Sequence, residues 1–138
     1  MASLTVLGWR ESVDLPAFAL TGIEAKMDTG ARTSALHATH IEPFERNGVP
    51  SVRFRIDLGD GHETATCEAH GVSRRRITSS NGQSENRLII VTRLELGGVQ
   101  FDAEFSLTDR TDMTYPVLIG RTALMGRFLV DAAQTHLL

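Results

Sequence analysis

Hydrophobic and polar residues alternate along much of this chain. Val52, Phe54, Ile56 and Leu58 alternate with Ser51, Arg53, Arg55 and Asp57. Such a period of two puts one face of a strand in a core and the other in water. Gly59-Asp60-Gly61 supplies turn chemistry, and His62 to Ala69 reads as the returning arm of a hairpin. A second hairpin is plainer. Arg87 to Leu96 and Val99 to Thr108 flank Gly97-Gly98, and Val99, Phe101, Ala103, Phe105 and Leu107 share one face of the second arm. Shorter strands are predicted over Leu4 to Trp9, Phe18 to Thr21 and Ile23 to Met27, with Pro16 separating the first two. The one good helix candidate is short, Arg121 to Gly126, directly after Gly120. Phe128, Leu129 and Val130 then predict a last core strand, and Thr135 to Leu138 a terminal one. Many short strands with turn signals between them predict an all-β fold, closed or sandwiched.

Composition narrows the class. A length of 138 residues fits a single domain, 1–138. Hydrophobic residues make up 41% and charged residues 22%, enough for a core and a solvated surface. The net charge of -3, from 14 basic and 17 acidic residues, argues against a general nucleic-acid binder. The single cysteine, Cys67, rules out an intrachain disulfide and suits a reducing compartment. No apolar run approaches the ~20 residues needed to span a bilayer, so a cytoplasmic protein with no membrane partner is expected.

Candidate chemistry centres on Asp28-Thr29-Gly30-Ala31, where an apolar strand meets a turn. Gly30 permits close backbone approach, and the Thr29 hydroxyl can brace the loop by hydrogen bonding. A loop of that kind presents a carboxylate from a fixed scaffold. Taken alone, Asp-Thr-Gly is most often a plain turn. A second segment changes its weight. Tyr115-Pro116-Val117-Leu118-Ile119-Gly120-Arg121 is an apolar strand ending in glycine, followed by Thr122-Ala123-Leu124-Met125-Gly126.

The two segments together resemble the retroviral-type aspartic peptidases, the retropepsins. More narrowly, Val6-Leu7-Gly8-Trp9-Arg10-Glu11, the long run from Lys26 to Ala38, Ile41-Glu42-Pro43-Phe44, Arg75 to Ser80 and Leu118 to Leu124 resemble a bacterial retropepsin-like family. That family has carried the label ATP-dependent zinc protease and is associated with ATP-grasp enzymes that add glutamate to a small-subunit ribosomal protein. The resemblance implies a closed β-barrel protomer with a flap hairpin, active only as a homodimer. It implies the trimming of poly-glutamate tails as one role, and a glutamate ligase as a partner. The label itself has little support in the residues. No GxxxxGK[ST] phosphate cradle and no HExxH zinc motif occurs. No cofactor is expected.

The implied mechanism needs two carboxylates sharing one proton, one as base and one as acid; like charges that close cannot both ionise cheaply. The chain carries one Asp-Thr-Gly, and Asp109-Arg110-Thr111 lacks both the glycine and the apolar lead-in. The second aspartate is therefore expected from Asp28 of a second copy across a two-fold axis. Asp28, Thr29 and Gly30 are the expected catalytic residues. Lys26, on the same strand face as Glu24 and Asp28, is expected either to meet substrate or to pair with Glu24. Ala31, Arg32 and His37 follow the loop, and all three are expected along the substrate path. Arg74-Arg75-Arg76 precedes Thr78-Ser79-Ser80-Asn81-Gly82, the expected flap tip, and Arg87 begins the returning arm. Arginines in that position suit an acidic peptide through bidentate pairing with carboxylates. The competing reading is a solvated basic edge strand.

Three further features carry other readings. His37 and His40, with Cys67 and His70, repeat a three-residue spacing that could supply zinc ligands, although strand residues with no Cys-x-x-Cys pair are the plainer description. Cys67 between Thr66 and Glu68 reads as a buried structural thiol rather than a nucleophile. Trp9 reads as core or dimer packing, and no GxSxG nucleophile elbow occurs.

Overall fold

The computed structural model describes residues 4–58, 64–78, 82–109 and 114–138. The chain is nearly all strand: β1 (Thr5–Leu15), β2 (Leu20–Asp28), β3 (Ser34–His37), β4 (Thr39–Arg46), β5 (Val49–Ile56), β6 (Ala65–His70), β7 (Ser73–Thr78), β8 (Ser84–Leu96), β9 (Val99–Thr108), β10 (Val117–Gly120) and β11 (Phe128–Thr135). One short helix, α1 (Arg121–Leu124), follows β10 directly. Eight strands form one sheet in the order β11-β1-β2-β10-β3-β9-β8-β7, and β4-β5-β6 form a second sheet of three strands. The larger sheet also pairs with itself, Asp14 on β1 lying opposite Glu95 on β8.

The alternation read from the sequence sets the core. Val52, Phe54 and Ile56 on β5 are buried while Arg53 and Arg55 face solvent. Phe101, Ala103, Phe105 and Leu107 on β9 are buried, and one apolar cluster draws on both sheets. Val99, expected on that face, is exposed at the mouth of the hairpin. Gly97 and Gly98 both sit at positive φ there, 62° and 79°, which glycine tolerates without a Cβ clash.

Several boundaries differ from the sequence reading for local reasons. Pro16 opens a 3-10 turn, Pro16–Phe18, which ends at Ala19 in the left-handed region. Phe18 is thus held out of β2, which starts at Leu20. β1 runs six residues past Trp9, to Leu15, because Val13 and Leu15 keep the inward alternation going. The helix stops at Leu124, two residues short of Gly126, as Met125 leaves helical geometry. The expected terminal strand is absent: Thr135 closes β11, and residues 136–138 carry no strand pairing. The glycine-rich turn 59–61 and the start of its returning arm at His62 lie outside the described residues.

That tail is nevertheless fixed. Glu11 on β1 is only 1% exposed. Its Oε2 accepts the Gly8 amide at 2.7 Å and the Leu137 amide at 2.8 Å. The His136 amide donates to the Arg10 carbonyl at 2.9 Å. Gly8 packs so closely on β11 that a Cβ would lie 2.5 Å from the Gln134 carbonyl oxygen. A buried carboxylate thus staples the chain's last residues to its first strand. Replacing it with alanine strands two amide donors. Glu11→Ala is expected to lose about 2–4 kcal/mol in urea unfolding, and Glu11→Gln, which keeps an acceptor, clearly less.

Candidate functional site: the Asp28 loop

Asp28 ends β2, whose buried residues Ile23, Ala25 and Met27 anchor it in the core. β10 lies beside it in parallel register, with Val117 opposite Ala25 and Gly120 opposite Asp28. The apolar-apolar-Gly segment therefore packs against the aspartate's own strand. Gly120 is required there, since a Cβ would meet the Thr33 carbonyl carbon at 2.7 Å and the Ser34 amide nitrogen at 2.9 Å. Backbone atoms cannot swing aside as a side-chain tip can.

The loop is held at the Asp28, Gly30, Ala31 and Arg32 carbonyls. The Gly30 amide donates to Asp28 Oδ1 at 3.2 Å, and the Ala31 amide to the Asp28 carbonyl at 3.1 Å. Arg121 Nη1 donates to the Gly30 carbonyl at 3.1 Å, while the Arg121 amide donates to the Ala31 carbonyl at 2.8 Å. Thr122 Oγ1 donates to the Arg32 carbonyl at 2.7 Å. The Gly120 amide donates to the buried Ser34 hydroxyl at 3.0 Å, and Ser106 Oγ donates to the Ser34 carbonyl at 3.4 Å. The Thr29 hydroxyl, expected to brace the loop, makes no hydrogen bond among the described residues and is exposed. Bracing falls instead to Arg121, Thr122 and Ser34, which residue-type reasoning passed over. The signal for them was present: a Gly-Arg-Thr start to a helix presents free amides, and these seek carbonyl or carboxylate acceptors.

The other expected site residues divide into groups. Lys26 is exposed two residues before Asp28 on the same strand face. It does not pair with Glu24, which binds Arg10 at 3.8 Å and His136 at 3.3 Å. Ala31 and Arg32 lie in the loop itself. His37 closes β3 beside β9, opposite Thr108.

The expected flap is a real hairpin, β7 against β8, in unbroken register from Ser73–Ile89 to Thr78–Ser84. Its tip, Ser79 to Asn81, lies outside the described residues. The four arginines are not equivalent. Arg75 forms a two-pronged bridge to Glu104 at 2.8 and 3.2 Å, and Arg87 pairs with Glu85 at 2.5 Å. Arg74 and Arg76 are exposed and have no ion pair among the described residues.

The four residues considered for zinc are not brought together. Among the described residues no group of three or more His, Cys, Asp or Glu could hold a metal ion. Cys67 faces the core of the three-stranded sheet beside Phe54, whereas His70, three residues on, is exposed and shares a 2.8 Å hydrogen bond with Ser51. An odd spacing on a strand sends the two side chains to opposite faces. Burial pushes the Cys67 thiol above its ordinary value, so it stays protonated and unreactive near neutral pH.

An Asp-Thr-Gly loop braced by an apolar-apolar-Gly strand, on a nearly all-β chain with a flap-like hairpin, defines a retropepsin-like protein. The chain belongs to the RimB-like family, described as retropepsin-like aspartic endopeptidase RimB, which matches residues 6–137. It is 39% identical over 135 residues to a probable alpha-L-glutamate ligase of Shewanella pealeana, covering 96% of this chain and 30% of that protein. A protein of the same description from Desulfotalea psychrophila is 34% identical over 130 residues, covering 93% of this chain and 28% of that one. The chain thus spans less than a third of the curated relatives it matches. A crystal structure of a Legionella pneumophila protein of unknown function is similar with a TM-score of 0.81 at 29% identity, covering 98% of both chains. No helix among the described residues is long and apolar enough to cross a membrane.

Two outcomes follow from this geometry. Gly120→Ala forces backbone apart under the loop and is expected to cost at least about 2 kcal/mol of stability in thermal or urea unfolding. Cys67 in the native protein is expected to react with a thiol-specific disulfide reagent far more slowly than in urea; equal rates would mean that the thiol is not held in the core.

Proposed function

We propose that this chain is one half of an aspartic endopeptidase that trims acidic, glutamate-rich tails. The observation that carries the reading is the braced Asp28 loop, present once per chain. Two copies related by a two-fold axis would bring both Asp28 carboxylates to one site. There they share a proton, activate a water for attack on the scissile carbonyl, and return a proton to the leaving amine.

Exposed apolar side chains at the Asp28 end of the larger sheet give a second copy something to bury. Val6 and Leu129 are partners across β1 and β11 and are 45% and 55% exposed. Continuing the Arg10–Lys26 pairing places Val6 beyond Asp28 at that same end. A closed β-barrel protomer, as the family implies, belongs to this reading, and the pairing of Asp14 on β1 with Glu95 on β8 supports it.

Charge supports the substrate class. Lys26, Arg32, Arg74 and Arg76 are exposed on the loop strand, the loop and the flap-like hairpin. A carboxylate-bearing peptide offers each an opposite charge, and guanidinium groups bind carboxylates in two-pronged fashion. The relatives add chemical context. A segment that occurs within proteins described as probable alpha-L-glutamate ligases has glutamate chains as its natural neighbour. A cytoplasmic setting follows from the same association. That context also favours a second reading, in which the domain binds a glutamate ligase or its target and regulates it without hydrolysis.

The two readings separate on one residue. The protein incubated with a glutamate-tailed peptide and followed by mass spectrometry is expected to shorten the tail. Asp28→Asn is expected to reduce that rate by at least about a hundredfold while leaving the sedimentation behaviour and circular dichroism unchanged. Undiminished cleavage by Asp28→Asn would end the aspartic mechanism. No cleavage by wild type, with a ligase still responding equally to both proteins, would favour the regulator.

A further inference from the structure

Glu104 stands in an unusual place for a carboxylate on a surface read as binding acidic peptides. It lies on β9 one residue before Phe105, which pairs with Ser34 at the exit of the Asp28 loop. It shares a small groove with Thr122, the residue whose hydroxyl holds the Arg32 carbonyl. Its two oxygens take the Nη1 and Nη2 donors of Arg75, from the flap-like hairpin, at 3.2 and 2.8 Å. Hydrogen bonds from Arg75 hold its carboxyl below the usual carboxylate range, and the charge of Arg32 adds to the effect. One carboxylate therefore joins an arginine of the hairpin to the field of an arginine of the catalytic loop. The Arg75 and Glu104 side chains are 41% and 46% exposed, so water and other ligands reach both.

We propose that Glu104 is an internal competitor for acidic substrate, holding in the empty protein the position that a substrate carboxylate takes on Arg75. The inference rests on the acidic-peptide reading and deepens it. The physical reasons are stereochemical and energetic. A glutamate side chain of a substrate presents the same two oxygens at the same spacing as Glu104, so it can replace the bridge without loss of hydrogen bonds. An exposed ion pair is worth little in net free energy, so exchange costs little. A neutral side chain cannot make the exchange, and Arg75 then stays turned toward Glu104 and away from the peptide. The internal carboxylate would thus do two things. It keeps a cluster of arginines from attracting anions indiscriminately, and it admits peptides able to take over its role. Arg74 and Arg76, without such a counter-ion among the described residues, would supply general attraction rather than selection.

Binding in the Asp28→Asn background, where no hydrolysis intervenes, tests this directly. A poly-glutamate peptide and its poly-glutamine counterpart are titrated calorimetrically into Asp28→Asn, Asp28→Asn/Glu104→Gln, Asp28→Asn/Arg75→Gln and the triple variant. Removing the internal competitor is expected to tighten poly-glutamate binding by about two- to fivefold at low ionic strength, with little change for poly-glutamine. That gain should vanish when Arg75 is also replaced, because the competition acts through Arg75. If Asp28→Asn prefers poly-glutamate and Glu104→Gln leaves that affinity unchanged or weakens it, the placeholder role is overturned while the acidic-substrate reading stands. A gain that persists without Arg75 overturns it equally. If Asp28→Asn does not distinguish the two peptides at all, the acidic-substrate reading falls, and this inference with it.

Discussion

Gly120 packs its main chain directly on Thr33 and Ser34, and the Asp28 loop depends on that contact. The aspartate ends one strand, the glycine ends its parallel neighbour, and the missing Cβ lets the two backbones close over the Ser34 hydroxyl. From there the chain turns at once into α1, whose first residues reach back to the Gly30, Ala31 and Arg32 carbonyls. Hydrogen-bond acceptors that a turn would normally leave to water are satisfied by protein instead. The loop is thereby fixed from both sides, by its own amides within and by the helix start without. Preorganisation of this kind holds the Asp28 carboxylate on a fixed scaffold.

Charge around the loop is organised more finely than its net value suggests. Carboxylates of the same chain engage several of its cations. Glu24 lies beside Arg10, Glu85 beside Arg87, Glu104 beside Arg75, and Glu68 holds both Arg46 and Arg53. The Glu68 carboxyl is held below its usual range by hydrogen bonds from Arg53 and then Arg46, on the three-stranded sheet rather than at the loop. Lys26, Arg74 and Arg76 are exposed and have no ion pair among the described residues. Exposed pairs contribute little to stability, so their value lies in deciding which cations remain free and where.

Much of this was legible beforehand. Alternation found β5, β8 and β9 with their buried faces, because a half-buried strand must repeat every second residue. The Asp28 motif and the Leu118-Ile119-Gly120 strand were legible as separate signals, each written in a few contiguous residues. Thr135 to Leu138 has strand-like composition, yet Thr135 ends β11 and the Leu137 amide is held by the Glu11 carboxylate, a partner more than a hundred residues away. The zinc quartet fails because Cys67 and His70, three apart on one strand, turn to opposite faces.

The sequence by itself determined the strands, the glycine turns and the identity of the carboxylate. These follow from short-range sterics and from the period of burial, which neighbouring residues set among themselves. Only the tertiary structure decided that Thr29 leaves the bracing of its own loop to Arg121, Thr122 and Ser34. It also decided that Arg75 of the hairpin is occupied by Glu104, which lies two strands further along the chain. Hydrogen bonds and ion pairs act over about 3 Å. Which donor comes that close to which acceptor depends on how distant strands are laid side by side, and no local pattern records it.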